Sequence, residues 1–528
     1  MKKKTFSAKV KRIDINVWDS LNVLLNEAQA FDFGITAVDD VTLRYKTKNP
    51  LNPSSKGDNT EQKELVVNAD LTNDLVDFWE VWITKDIYEK YNLKEWDIIS
   101  ISAVKTNPIS LKAIKKKLLG NKLNEEEIKA LMRDMTDGKI SDILSAYYAA
   151  CSFTYSSDQE ELYLTAKYSA EMWDMIRFDH DTAVKYCIGW VPWNETTMII
   201  VPILWSLWIS SPKTFSKAIT SPAATWECVE VLMDIEFSVE EMKKLVRKTG
   251  SCLAWWKNLK FAPANDKIIK VSYPLQTEAY SKIAVSIMAK IYAWWTKYCL
   301  IDLPVGEYWK IKDLKTAKRV RWHFAYIWKN LWMKINVDIT NADAPIGKWI
   351  GGVLQVREVL RILQNKENIS LDLKNKSIEL AANLIELVWL AKWKKAKILA
   401  KKQLESGKAW EYMQKLINSQ NFLHKRKPDK KNVSYLWVID SEDLPLWEFN
   451  QKFFSEKTGI IKEIDVNNLK EISKKLWAPL DKKAWFYLYK QVGDKIEKWE
   501  LLFELYSSDK DRFLQWVEKL KNQKLYII

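Results

Sequence analysis

Glycine lets a backbone take positive φ and bring its N–H groups close to an anion. This chain has 13 glycines in 528 residues, about 2.5%, against a usual ~7%. It has 28 tryptophans, and the two residue types together make 41, an ordinary glycine content. Placement matters as much as number. Cys187-Ile-Gly-Trp-Val-Pro-Trp-Asn-Glu-Thr-Thr197 begins as an anion-wrapping loop and then sets Trp190 and Trp193 where small residues are needed. Lys94-Glu95-Trp96-Asp97 and Glu497-Lys498-Trp499-Glu500 sit where strands turn, and Trp328 and Trp332 interrupt a helix end before Met333. One reading reconciles these facts. Most tryptophans stand where the polypeptide carries glycine, as happens when UGA codons that a lineage reads as glycine are translated as tryptophan. The competing reading is a Trp-rich, base-stacking protein, but such platforms carry aromatics on strand faces rather than at turns.

The remaining composition sets outer bounds. The length allows three or four domains, and 47% apolar residues supply sizeable cores. A net charge of +14 suits an anionic partner, although Lys runs interleaved with Glu and Asp equally describe a solvated surface. Five cysteines without a C-x-x-C pair, and three histidines, offer no metal-site spacing. No apolar h-region follows Met-Lys-Lys-Lys-Thr, and the longest apolar run, Met198 to Ile209, is too short to span a bilayer. A reducing cytoplasm is the expected location.

Periodicity divides the chain. Residues 1–104 read as a β-rich module, with alternating runs at Glu64–Val67 and Ile98–Ile101 and a polar loop at Asn49–Lys63. Residues 105–175 read as a small helical domain, completed by about 262–292, with Asn124 and Ser141 as helix caps. Residues 176–425 read as a large α/β domain with a mostly parallel sheet: strands at Ala183–Cys187, Leu300–Leu303 and Lys334–Val337, a helix over Thr196–Leu207, and a capping box at Ser238 whose helix stops at Gly250. His424–Asn432 is a charged break, and 433–528 form an α/β C-terminal domain.

With Trp read as Gly, the opening loop becomes K-Y-C-I-G-G-V-P-G-N-E-T-T. Further segments then align: Pro212–Thr225, Cys252–Asp266, Val285–Lys290 and Leu404–Trp410. Together they resemble the thymidine/pyrimidine nucleoside phosphorylase superfamily, whose loop reads K-H-S-x-G-G-V-G/P-x-x-T. The nearest likeness is to its AMP phosphorylase branch, with S-R-A-I-T-S-P-A-G-T and extra N-terminal residues. The resemblance spans nearly the whole chain. It implies a pentosyltransferase of nucleotide salvage and catabolism that uses inorganic phosphate to release a base from a nucleoside 5′-monophosphate, needs no metal or cofactor, and forms at least a homodimer. Neither nucleic acid nor membrane is an implied partner.

By that resemblance Lys185, Cys187 and Thr197 hold phosphate. Trp190, Ser216, Lys217, Ala218, Ile219, Thr220, Ser221, Thr225, Ser286, Lys290 and Lys310 hold the nucleotide, and Glu278 donates a proton to the departing base. Taken singly these residues have blander readings: Glu278 as a solvated helix-start charge, Lys185 as a surface lysine at a strand end, Ser286 as a packing residue. The family pattern is departed from at Tyr186 (His), Cys187 (Ser), Glu195 (Lys or neutral) and Lys217 (Arg). Cys donates a weaker hydrogen bond than Ser, and Lys lacks the bidentate fork of Arg. Two alternatives stand beside this reading. A pyrimidine nucleoside phosphorylase would prefer unphosphorylated nucleosides, and a basic nucleic-acid binder would show salt-sensitive oligonucleotide binding.

Overall fold

The computed structural model describes residues 5–15, 22–37, 39–48, 60–104, 108–155, 158–172, 175–188, 195–215, 224–255, 263–272, 279–307, 309–342, 344–437, 440–445, 449–476, 481–483, 485–522 and 525–528. The chain forms two compact units. The first comprises residues 1–172 and 263–274, the second 173–262 and 275–528.

The first unit opens with a closed barrel. Its strands follow one another around the barrel as Phe6–Ile13, Glu80–Thr84, Asn22–Asn26, Thr60–Thr72, Asp40–Lys48 and Ile98–Ala103. Alternation drives it: Phe6, Ala8 and Val10 point inward with Val41, Leu43, Ile99 and Ile101, while the residues between them face outward. The polar loop expected at 49–63 is shorter in the structure, because residues 60–63 already pair with Asp40–Lys48. Helices follow at Pro108–Leu118, Glu125–Thr136, Asp142–Thr154 and Gln159–Glu171. Asn124 and Asp158 each close a reciprocal capping box, and Ser141 caps the helix between them. Helix Pro263–Ser272 returns to this bundle, where Ala264 and Ile268 join Ala113, Leu131 and Leu164 in one core.

In the second unit three parallel strands lie in the order Lys334–Asn341, Tyr298–Val305, Ala183–Cys187, and a second parallel pair joins Lys213–Phe215 to Leu253–Trp255. Helices Glu195–Trp205, Gly352–Leu363, Leu371–Leu387 and Lys408–Leu423 bury Met198, Ile203, Val353, Leu380, Leu384 and Met413 in a common core. Helix Tyr280–Ala293 lies within this second unit. The segment from 433 onward is not set apart from it. Tyr435 and Leu436 donate to the carbonyls of Glu230 and Val231. Strand Trp349–Ile350 forms the edge of the sheet completed by Trp485–Leu488, Leu501–Ser507 and Phe449–Phe454. Among the described residues no helix is long and apolar enough to cross a membrane.

Fifteen non-glycine residues among those described have positive φ, and nine of them are tryptophans: Trp79, Trp96, Trp208, Trp295, Trp332, Trp389, Trp393, Trp437 and Trp499, at 48–71°. Their settings are glycine settings. After helix Leu371–Leu387, Trp389 donates to the Glu386 carbonyl and Leu390 to the Ile385 carbonyl, the paired closure that a C′ glycine makes. Gly250 itself, at φ 61°, ends helix Val239–Thr249. At the barrel turn Lys94–Asp97, Asp97 donates to the Lys94 carbonyl and Trp96 holds the third position at φ 71°. Not every tryptophan expected to be glycine shares this geometry. Trp349 lies in a strand with its ring 4.2 Å from that of Tyr487, and Trp328 lies in the last turn of helix Leu314–Asn330. Trp190, Trp193 and Trp256 fall outside the described residues.

Candidate active site

Parallel sheets bind ligands beyond the carboxyl ends of their strands, and Lys185, Cys187 and Thr197 lie towards that edge in the second unit. Lys185 is 4% exposed. Its Nζ donates to Thr196 Oγ1 at 3.1 Å and lies 3.9 Å from the Asp302 carboxylate. Asp302 sits on the central strand in register with Cys187, also accepts from Thr340 Oγ1 at 2.7 Å, and pairs with Lys376 at 3.4 Å. That carboxylate holds Lys185 of the edge strand and Lys376 of helix Leu371–Leu387. The first turn of helix Glu195–Trp205 carries Thr196 and Thr197, both buried. Two hydroxyls and a lysine therefore meet at a helix N-terminus, where backbone N–H groups and the helix dipole favour an anion.

Lys213, a residue the sequence reading did not single out, completes this group. It is 7% exposed, its Nζ stands 2.9 Å from the centroid of the Tyr186 ring, and no carboxylate pairs with it among the described residues. Burial holds its amine well below the usual lysine range, and the positive charges of Lys185 and Lys290 push the same way while Cys187 opposes them. Burial thus disfavours the charged amine, and an anion seated beside it would favour the return of its proton. Its only sequence signal was its place at the head of the Pro212–Thr225 segment.

Ser286 and Lys290 lie one turn apart on helix Tyr280–Ala293 and so share a face, with Ser286 buried. Thr225 begins helix Thr225–Leu232. Lys310 follows strand Tyr298–Val305, and its charge reaches Lys470 on helix Val466–Lys475. Trp190, Ser216, Lys217, Ala218, Ile219, Thr220, Ser221 and Glu278 lie outside the described residues.

The departures have physical consequences. Tyr186 is half-buried, its phenol pushed up by desolvation, with Thr214 Oγ1 3.4 Å from its oxygen. Glu195 is fully buried, with no cation paired to it among the described residues. Burial, followed by the neighbouring Glu358 carboxylate, raises it well above the usual carboxylate range. Glu358, also buried, is pushed up to about 8 although it accepts from the backbone of Lys348 and Trp349. The pair is thus carried largely as carboxylic acids at neutral pH. Among the described residues no group of three His, Cys, Asp or Glu is placed to hold a metal ion.

Comparison with known proteins places the chain in a family. Residues 111–167 match the helical bundle domain of a glycosyl transferase family, and residues 460–526 match the pyrimidine nucleoside phosphorylase C-terminal domain. AMP phosphorylase of Thermococcus kodakarensis is 33% identical over 86% of this chain and 87% of its own length. The Pyrococcus furiosus AMP phosphorylase is 33% identical over 85% and 87%. A putative thymidine phosphorylase of Rhodopseudomonas palustris is 31% identical over 82% and 81%. In fold, the chain resembles anthranilate phosphoribosyltransferase from Thermus thermophilus, with a TM-score of 0.50 at 14% identity, over 58% of this chain and 99% of that one.

Proposed function

This chain belongs to the AMP phosphorylase branch of the pyrimidine nucleoside phosphorylase family, and from that premise we propose that it cleaves a nucleoside 5′-monophosphate with inorganic phosphate, releasing a free base and ribose 1,5-bisphosphate. The observation that carries the reading is the meeting of Lys185, Lys213 and the Thr196/Thr197 helix start at the carboxyl edge of the parallel sheet. Phosphate held there attacks C1′ of the ribose. The N-glycosidic bond breaks, its electrons pass to the base, and Glu278 supplies the proton that lets the base leave neutral. Cations around the nucleophile orient it and disperse its charge as the bond forms.

Ser216–Ser221, Thr225, Ser286, Lys290 and Lys310 are assigned to the nucleotide, with Lys310 on the 5′-phosphate. A charge-assisted bond there separates nucleotides from nucleosides. The reaction belongs to nucleotide salvage and catabolism in the cytoplasm, run by a homo-oligomer. Base release from AMP, CMP and UMP, with and without phosphate, tests the proposal. Phosphate-dependent release from at least one nucleotide supports it. Faster release from unphosphorylated nucleosides replaces it with a pyrimidine nucleoside phosphorylase.

A further inference from the structure

Lys185, Asp302 and Asp338 lie on one face of the parallel sheet. Lys185 is in register with Leu300, two residues before Asp302, and Asp302 is in register with Asp338 on the next strand. Helix Leu371–Leu387 brings Lys376 to Asp302 and Asn383 to Asp338. Asp338 is taken up by amides, from Asn383 and from Asn336 at 2.8 Å, which leaves Asp302 to the lysines. Asp302 is fully buried. Its Oδ1 accepts from Thr340 Oγ1 at 2.7 Å and lies 3.4 Å from the Lys376 amine. Its Oδ2 faces Lys185 Nζ across 3.9 Å, beyond hydrogen-bonding reach.

A lysine head carries three N–H donors. Among the described residues Lys185 gives one of them, to Thr196 Oγ1, although it is only 4% exposed. A buried donor is ordinarily matched, so its other donors await a partner. The 3.9 Å separation preserves them. At that distance the carboxylate attracts the lysine head without consuming its donors, whereas a carboxylate in contact would take what phosphate needs. Thr340 and Lys376 keep the separation by engaging the other oxygen. We infer that Asp302 is a positioning residue for phosphate, a carboxylate anchored by Thr340 and Lys376 so that Lys185 stays directed at Thr196 with its other donors open to the nucleophile.

The inference rests on the phosphate seat proposed above, and it predicts the sign of an effect. By Coulomb's law alone a carboxylate beside the seat repels phosphate, so removing its charge should tighten phosphate binding. Positioning requires the opposite. Binding of inorganic phosphate to soluble full-length protein is measured by calorimetry, together with the KM values for phosphate and for nucleotide. Asp302→Asn should weaken phosphate roughly tenfold or more and leave the KM for nucleotide within about threefold. Thr340→Val and Lys376→Met spare the carboxylate but loosen its anchorage. Each lets it close on Lys185 and should weaken phosphate by about threefold or more, the share of one hydrogen bond. These two variants decide the matter if Asp302→Asn does not fold. Tighter or unchanged phosphate binding in Asp302→Asn overturns the inference, as does unchanged binding in both Thr340→Val and Lys376→Met. Equal rises in the two KM values overturn it as well, because a distorted sheet edge would harm both substrates alike. If Lys185→Ala shows that phosphate binds through Lys185 and yet the unaltered chain releases no base, the proposed reaction falls instead, and phosphate binding by the variants still decides the role of Asp302.

Discussion

Replacing the left-handed tryptophans by glycine should stabilise this chain, and the amount follows from their geometry. A residue with a Cβ in the left-handed region costs ~1–2 kcal/mol, and nine tryptophans occupy it. Seven of them (Trp79, Trp96, Trp208, Trp332, Trp389, Trp393 and Trp499) are 52–80% exposed, so their indoles return little by burial. Trp295 packs against Tyr292 and Trp332 and gives up some contact when it goes. The net gain is about 5–10 kcal/mol, comparable to the whole stability of an ordinary domain, ~5–15 kcal/mol. The tryptophan chain should therefore aggregate on expression and the glycine chain should be soluble. Controls separate the backbone argument from a general dislike of tryptophan. Trp516 is buried on helix Lys510–Asn522, where replacement by glycine should cost ~4 kcal/mol or more. Trp410, inside helix Lys408–Leu423, should lose about 1 kcal/mol. The assay is urea unfolding of matched chains together with mass spectrometry of protein from the native source. Equal midpoints for the nine-fold glycine chain and the tryptophan chain would refute the strain argument, and indole at most of the nine positions in native protein would refute the recoding.

Glu278→Gln should lower turnover by about 10²–10⁴-fold while nucleotide binding, followed by calorimetry, is largely kept. Lys213→Ala and Lys185→Ala should each raise the KM for phosphate more than that for nucleotide, by roughly tenfold or more, because each removes a buried amine from the anion seat; equal effects on both substrates would count against the placement. Glu195 and Glu358 give a pH dependence of defined sign. Both keep protons in the folded chain above the 4.5 at which an unfolded glutamate releases them, Glu358 up to about 8, so folding takes up protons across that window. Stability should accordingly be full below pH ~4.5 for these groups and fall as pH rises towards 8, by up to ~1.4 kcal/mol per unit for each. Unfolding midpoints across this range should flatten in Glu195→Gln, and an unchanged slope would show that the pair does not titrate this way.

What was legible in the sequence was local. Asn124, Ser141 and Ser238 announce their helices because a cap needs only a side chain and the next three residues. Lys94–Asp97 announces a turn for the same reason. The phosphate role given to Lys185 came from family resemblance, since spacing alone leaves it indistinguishable from any strand-end lysine. Lys213 was not legible, because its burial arises from a parallel pairing with Leu253–Trp255 and from a ring on a different strand. The surroundings of Glu195 were equally hidden: Glu358 and Asp372 reach it from helices far along the chain. The pairings within the charged segment His424–Asn432 were hidden too. Charge marks a segment as wet on one side, yet His424 bridges Asp234 and Glu241 at 2.7 and 2.9 Å, and Arg426 holds Asp234 at 2.8 Å.

The edge strand Trp349–Ile350, paired to Trp485–Leu488 in a sheet finished by Leu501–Ser507, has a consequence for synthesis. It leaves the ribosome well before its partners. At ~5–20 residues per second the interval before Ser507 is made is roughly ten to thirty seconds. Through that time the nascent chain holds an open β-edge directly ahead of the helix that carries Glu358. A chaperone that caps exposed strand edges would find its target there. A ribosome that stalls inside the interval would release a chain whose last sheet cannot close.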